Sequence, residues 1–311
     1  MSDTSLEPSE VVLHGLDGSN PLAFLAALGT LRTLAAVWPE RAVRMAWKVE
    51  TGAWRPVLKC EGWTGDAAAD ELLDALAEQL ARGIGGAAFR FTRDLKLMPA
   101  AFREFALAAR EAALSGDLRS QDDAAFAAAF ACEGCTNRDG TVQDTAFRTM
   151  SGAGHQHFVG SMEELARVTD REHLRRTLLA GWDYRDGKPS LRYDPVEDRR
   201  YALRWGDPSG DATRTMRGAN RLAVEALPLL PTCPVGQRLA TTGFNVSRFW
   251  TWPIWEPWLS LDVTRTLLAL AELQSEIPNR SGLSARGVQE IFRCERITVG
   301  KFRNFTPAAA V

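Results

Sequence analysis

Five cysteines in a chain of 311 residues are odd in number and too sparse for the disulfide framework that staples short secreted domains. Long apolar runs are missing too. The longest uncharged one, Pro21 to Leu31, falls well short of the roughly 20 residues a membrane span needs. Neither sign of charge prevails: 37 Lys and Arg stand against 39 Asp and Glu, for a net charge of −2 and a pI near 6.2. The strongly basic surface of a protein that wraps nucleic acid unaided is therefore absent. The opening MSDTSLEPSE is acidic and polar, unlike a signal peptide. There is no internal repeat, no heptad run, and no G-x-S-x-G, G-x-x-x-x-G-K-[ST] or H-E-x-x-H motif. These absences argue against secreted disulfide scaffolds, membrane spans and the commonest hydrolase and NTPase frameworks. They make the cytoplasm the expected compartment, and they require any phosphate contact to be a local patch.

What is present is a globular composition, 45% hydrophobic and 24% charged. After a loose tail over residues 1–12, Asn20 and Pro21 form a helix start, and Phe24, Leu28, Leu31, Ala35 and Trp38 lie on one face. The other side is also apolar as far as Leu31, which predicts deep burial. Residues 43–60 alternate as a hairpin around Thr51-Gly52, with Pro56 predicting an edge position for the second strand. Helices are expected over 66–82, 99–114, 121–131, 161–180, 218–227 and 260–272. The 161–180 helix would start on a Ser161/Glu164 capping box. Strands are expected near 142–149 and 237–250, and a last hairpin near 291–305. The expected class is α+β, predominantly helical with several β-hairpins. A division into an N-terminal region, 1–118, and a C-terminal α+β region, 119–311, is drawn at the Ser-Gly-Asp of 115–117.

Six groupings could carry chemistry. Cys132-x-x-Cys135 with His155 and His157 offers two thiolates and two imidazoles, the donor set of a structural zinc; otherwise the cysteines are core and turn residues. The loop Ser151 to His157 could support acid–base or nucleophilic chemistry, or be a tight turn; no adjacent acid orients its histidines. Asp183, Asp186, Asp194, Glu197 and Asp198 could hold Mg²⁺. The interleaved Arg185, Lys188, Arg192, Arg199 and Arg200 favour a solvated surface of ion pairs instead. Arg214, Arg217 and Arg221, with Asn220, would form a guanidinium stripe near a helix N-terminus. Arg293, Arg296, Lys301 and Arg303 interleave with Phe292, Phe302 and Phe305, in the manner of a basic and aromatic nucleic-acid surface or of a polar strand face. Lastly, Trp250, Trp252, Trp255 and Trp258 could anchor an interface or fill the core.

Several of these stretches are familiar together. LHGLDGSNPLAFLAALGTLRTL, PSLRYDPVEDRRYALRW, GANRLAVEALPLLP, FWTWPIWEPWLSLDVTRTLL and GKFRNFTPA span most of the chain and resemble CRISPR interference proteins of type I-G, formerly I-U. The group includes large-subunit-like components, which are longer, and shorter relatives. The resemblance implies a non-catalytic subunit of an effector complex in antiviral defence. Its partners would be the other effector subunits, guide RNA or target DNA, and the helicase–nuclease. In such a complex base pairing reads sequence while protein reads backbone and shape. Asn220 and Arg221 of GANR, and Lys301, Arg303 and Asn304 of GKFRN, are the matching candidates for backbone contact. No cofactor beyond the candidate zinc is implied. Two other readings compete: a metal-dependent hydrolase or nuclease using the His155/His157 loop, and a scaffold that touches only protein.

Overall fold

The chain is built around the helix that starts at Asn20. The Asn20 side chain accepts the main-chain N–H groups of Leu22 and Ala23, and Pro21 occupies the first turn. Every residue from Pro21 to Leu34 is buried, as its all-round apolar character requires. A computed structural model describes residues 9–84, 94–114, 118–150, 157–197, 214–245, 248–299 and 302–311. In chain order its elements are β1 (Glu10–Val12), α1 (Pro21–Val37), β2 (Arg44–Glu50), β3 (Ala53–Lys59), α2 (Ala67–Ala81), α3 (Pro99–Leu114), α4 (Leu118–Phe130), β4 (Ala131–Thr136), β5 (Val142–Asp144), α5 (Phe158–Val168), α6 (Arg171–Leu179), α7 (Arg217–Ala226), β6 (Thr232–Val235), β7 (Arg238–Thr241), β8 (Phe244–Asn245), β9 (Phe249–Trp255), α8 (Leu261–Leu268), α9 (Arg280–Ser284), β10 (Val288–Val299), β11 (Phe302–Phe305) and β12 (Ala309–Ala310). Helix accounts for 42% and strand for 24%, so the class is α+β with both kinds of element in quantity. No helix among the described residues is long and apolar enough to cross a membrane.

The strands form a three-stranded antiparallel sheet in the order β1-β3-β2 and a larger one in the order β11-β10-β9-β8, with β12 also on β10; β4-β5 and β6-β7 are hairpins. Pro56 does not mark an edge: its strand, β3, lies in the middle. The carbonyl of residue 56 faces β1 and accepts the N–H of Leu13. The missing N–H of proline faces the same way, just past the end of β1, so no ladder bond is lost.

Between the two sheets α1 presents Phe24 to four indoles: Trp47 stacks on it at 5.7 Å, and Trp250, Trp252 and Trp255 lie at 6.0, 5.7 and 6.4 Å. Buried indoles need acceptors. Trp252 donates to the carbonyl of Gly18 at 2.8 Å and Trp255 to that of Met45 at 3.0 Å. The Trp-rich segment is thus core at Trp250, Trp252 and Trp255, while Trp258 is half-buried. On another side α1 meets α7 so closely that a Cβ on Gly29 would fall 1.8 Å from the carbonyl oxygen of Leu222. One hydrophobic cluster includes residues from both sides of position 118.

Three local expectations change. The 161–180 helix is two helices, α5 and α6, broken where Thr169 and Asp170 are extended. Asp170 caps α6 by accepting the His173 N–H at 3.0 Å, and a capping box forms there rather than at Ser161/Glu164. The strand expected over 142–149 stops at Asp144: Thr145 still bonds the carbonyl of Phe130, but Phe130 ends α4, and Arg148 closes a turn onto the carbonyl of Thr145. The 260–272 helix ends at Leu268, with a separate 3-10 turn over Ala271–Gln274.

Candidate functional site

The predicted stripe of Arg214, Arg217 and Arg221 is dispersed. Helix α7 carries its polar residues on a buried face. Asn220 accepts the N–H of Leu191 at 2.7 Å and donates to Thr215 Oγ1 at 2.9 Å and the carbonyl of Met216 at 3.0 Å. It stitches the turn before α7 to the 190s loop and is fully buried. Arg221, 1% exposed, donates to Glu225 at 2.7 Å, and Glu225 also receives Arg32 at 2.8 Å. Burial pushes the Glu225 carboxyl upward, but Arg221 and Arg32 outweigh it and hold it below its ordinary range. Asp122, on the far side of Arg32, is raised, because burial outweighs its ion pair. Neither Asn220 nor Arg221 can reach a phosphate: both are part of the interior. Arg217 is half-way in; its main-chain N–H caps onto Asp186 at 2.9 Å and its side chain meets His173 Nε2 at 2.9 Å. Arg214 is exposed.

The acidic run divides in two. Asp183 and Asp186 take Arg176, which donates to them at 3.1 and 3.0 Å. Asp194 and Glu197 are buried and are served by uncharged donors. Asp194 accepts from Asn20 at 3.1 Å, Tyr184 at 2.9 Å and the N–H of Val196 at 3.1 Å. Glu197 accepts from Ser190 at 2.7 Å and Thr215 at 2.7 Å, and burial pushes it up to about 7. Their oxygens are spent on the protein's own loops, neither solvated nor gathered for a metal. Asp198, Arg199 and Arg200 lie outside the described residues.

Cys132 and Cys135 are both on β4, so neither lies in a turn, and Cys135 is buried while Cys132 is half-buried. Burial, and then the neighbouring Cys132 thiol, raise the Cys135 pKa. His157 stands at the N-terminus of α5, and its Nδ1 has no partner among the described residues. His155 lies outside the described residues. Among the described residues no three His, Cys, Asp or Glu side chains gather in a way that could hold a metal ion.

The second basic grouping fares differently. Arg293 points to one side of β10, where it donates to Thr251 Oγ1 at 2.9 Å and to the carbonyls of Glu276 and Ser275 at 2.8 and 2.6 Å. Asn304 is 4% exposed, its side-chain carbonyl oxygen has no partner among the described residues, and it belongs to the interior; Lys301 lies outside the described residues. Arg296 and Arg303 come together. Arg303 pairs across the strands with Thr298, two positions from Arg296, so both project from the same face. Both cover the turn after β5: Arg296 donates to the carbonyl of Ala146 at 2.7 Å and Arg303 to that of Arg148 at 3.1 Å. Among the described residues neither has a carboxylate in ion-pair range, since Asp144, the nearby acid, is already engaged by Arg148. Burial, then the repulsion of Arg303, push Arg296 down to about 10. Sequence reasoning missed Arg148, whose guanidinium engages Asp94 and Asp144 and whose carbonyl receives Arg303; its spacing of four from Asp144 was the available signal.

No family model, curated protein or solved structure matches this chain.

Proposed function

We propose that the chain is a non-catalytic subunit of a type I-G CRISPR effector complex in the cytoplasm, where Arg296 and Arg303 contact the phosphate backbone of guide RNA or target DNA. Support comes from the motif resemblance along most of the chain and from one observation in particular. Two guanidiniums sit side by side on paired strands, bonded among the described residues only to carbonyls, and repel each other. A phosphate placed between them would accept charge-assisted hydrogen bonds and remove that repulsion. The net charge of −2 fits a subunit that shares the nucleic acid with basic neighbours rather than wrapping it alone. Its proposed partners are those neighbours and the helicase–nuclease.

The test is to purify the tagged chain with its natural neighbours, identify the bound nucleic acid, and repeat with Arg296→Ala/Arg303→Ala. The plot of log affinity against log salt should flatten by roughly 0.9 for each duplex phosphate that the variant no longer neutralises. An unchanged slope rejects the assignment of these two arginines, and a complex free of nucleic acid favours the protein-only scaffold.

A further inference from the structure

We propose that Cys132 and Cys135 are a redox dithiol: Cys132 is the thiol that meets a small-molecule disulfide from solution, and Cys135 closes on it to leave a Cys132–Cys135 disulfide across a bulge of β4. This inference stands on residues separate from the nucleic-acid reading and does not depend on it.

Two cysteines three apart in a regular strand could not do this. They point to opposite faces with Cα atoms about 10 Å apart, whereas a disulfide needs them within about 7 Å. Strand β4 is not regular there. In its ladder with β5, Ala131 stands opposite Asp144 and Thr136 opposite Val142, so four residues of β4, 132 to 135, face the single residue Gln143. The surplus length is taken up as a bulge, which turns side chains out of their alternation. The Cys132 sulfur comes to 3.8 Å from where a Cβ on Gly134 would stand, in space that the glycine leaves open. The Cys135 thiol donates to that sulfur. Gln143 holds the bulge from the opposite strand. It donates to the carbonyls of Thr136 at 2.9 Å and Gln237 at 3.1 Å and accepts the N–H of Leu239 at 2.8 Å, tying the β4–β5 hairpin to the β6–β7 hairpin.

The two thiols differ in the way a two-step exchange requires. Cys132 is half-buried and open to a small molecule, while Cys135 is buried. Burial raises the Cys135 thiol, which makes it the poorer first attacker. Cys132 attacks one sulfur of the external disulfide; that S–S bond breaks, one thiol leaves with the Cys132 proton, and a mixed disulfide remains. The Cys135 sulfur then attacks the Cys132 sulfur, the second thiol leaves with the Cys135 proton, and the Cys132–Cys135 bond forms. The two cysteines lose two electrons and two protons, and the external disulfide gains them as it becomes two thiols. Among the described residues the pair lacks the further ligands a metal would need, but a dithiol needs none. The exposed thiol of Cys233 on β6 lies near enough for its charge to bear on Cys135, and is the competing partner.

The probe is glutathione disulfide in glutathione buffer, applied to the reduced full chain, with alkylation of the remaining thiols and mass mapping. Cys132 and Cys135 share the tryptic peptide 120–138 and Cys233 lies in 222–238, so the pairings are distinguishable. In the unaltered chain, peptide 120–138 should lose two hydrogens and resist alkylation. Half-closure should need roughly tenfold less glutathione disulfide than in the same chain unfolded in urea, because the bulge has already brought the sulfurs together. Cys135→Ser should leave glutathione on Cys132, Cys132→Ser should leave Cys135 unmodified, and Cys233→Ser should leave closure unchanged. Full alkylation of peptide 120–138 at every buffer ratio, its cross-linking to 222–238, closure no easier folded than unfolded, or glutathione on Cys135 in Cys132→Ser overturns the proposal.

Discussion

Helix α7 and the β10–β11 hairpin carry similar arginine-rich sequences and treat them in opposite ways. In α7, Arg221 is drawn into the interior because carboxylates converge there: Glu225 on α7 itself and Asp122 on α4, linked by Arg32 of α1. In the hairpin, Arg296 and Arg303 have carbonyls for partners and each other for company. The spacing of basic residues does not separate the two cases. What separates them is the placement of charged residues far off in the chain, and whether the helix face beside them is wholly buried.

The interior half of this contrast depends most on Glu225. Glu225→Ala leaves Arg221 buried without a counter-charge and should lower the unfolding free energy by about 3–5 kcal/mol, measured by urea denaturation. A drop below about 1 kcal/mol would mean that Arg221 escapes to water. Next comes pH. Burial raises Glu197 from its ordinary value to about 7, so the folded protein holds this proton more tightly than the unfolded chain does. The stability it contributes is complete below about pH 4.5 and is lost as pH rises through 7. The fall is about 3 kcal/mol, and the raised Asp194 adds in the same direction. Glu197→Gln should flatten that part of the stability–pH curve between pH 5 and pH 8; an unaltered curve would place the titration elsewhere. Asn220→Ala strands the N–H of Leu191 and should cost about 1–3 kcal/mol in the same denaturation assay. The smallest stability effect belongs to the hairpin. Arg296→Ala/Arg303→Ala should change stability by less than about 1 kcal/mol, because the repulsion it relieves offsets the carbonyl bonds it removes. A collapse of the fold in that variant would make the two arginines structural and erase the contrast.

Much of the fold was legible because local chemistry decides it. The Asn20-Pro21 start, the alternation over 43–60, the leucine face of α2 and the span of α3 all follow from residues within a few positions of one another. Elements were misread where a distant partner decides. Pro56 reads as an edge residue unless β1 is known to pair with β3 and to end at Val12. The candidate site was less legible still. Arg296 and Arg303 were singled out together, but so were Arg221, Asn220 and Asn304, whose burial depends on segments far off in the chain. The pairing of Cys132 with Cys135 was visible in their spacing. What could not be seen was that the register of β5 would force the bulge that brings their sulfurs together.

The burial of α1 on all sides has a consequence for synthesis. Its partners, α7 and the tryptophans of β9, follow roughly 190 and 220 residues after it. At ribosomal rates of about 5–20 residues per second, α1 must wait on the order of 10 to 40 s before they emerge. During that interval the rod has only the β2–β3 hairpin and α2 to cover it, and the faces that α7 and β9 will bury stay bare on the nascent chain. A truncated chain stopping before α7 should therefore clump or be held by chaperones, whatever the stability of the finished protein.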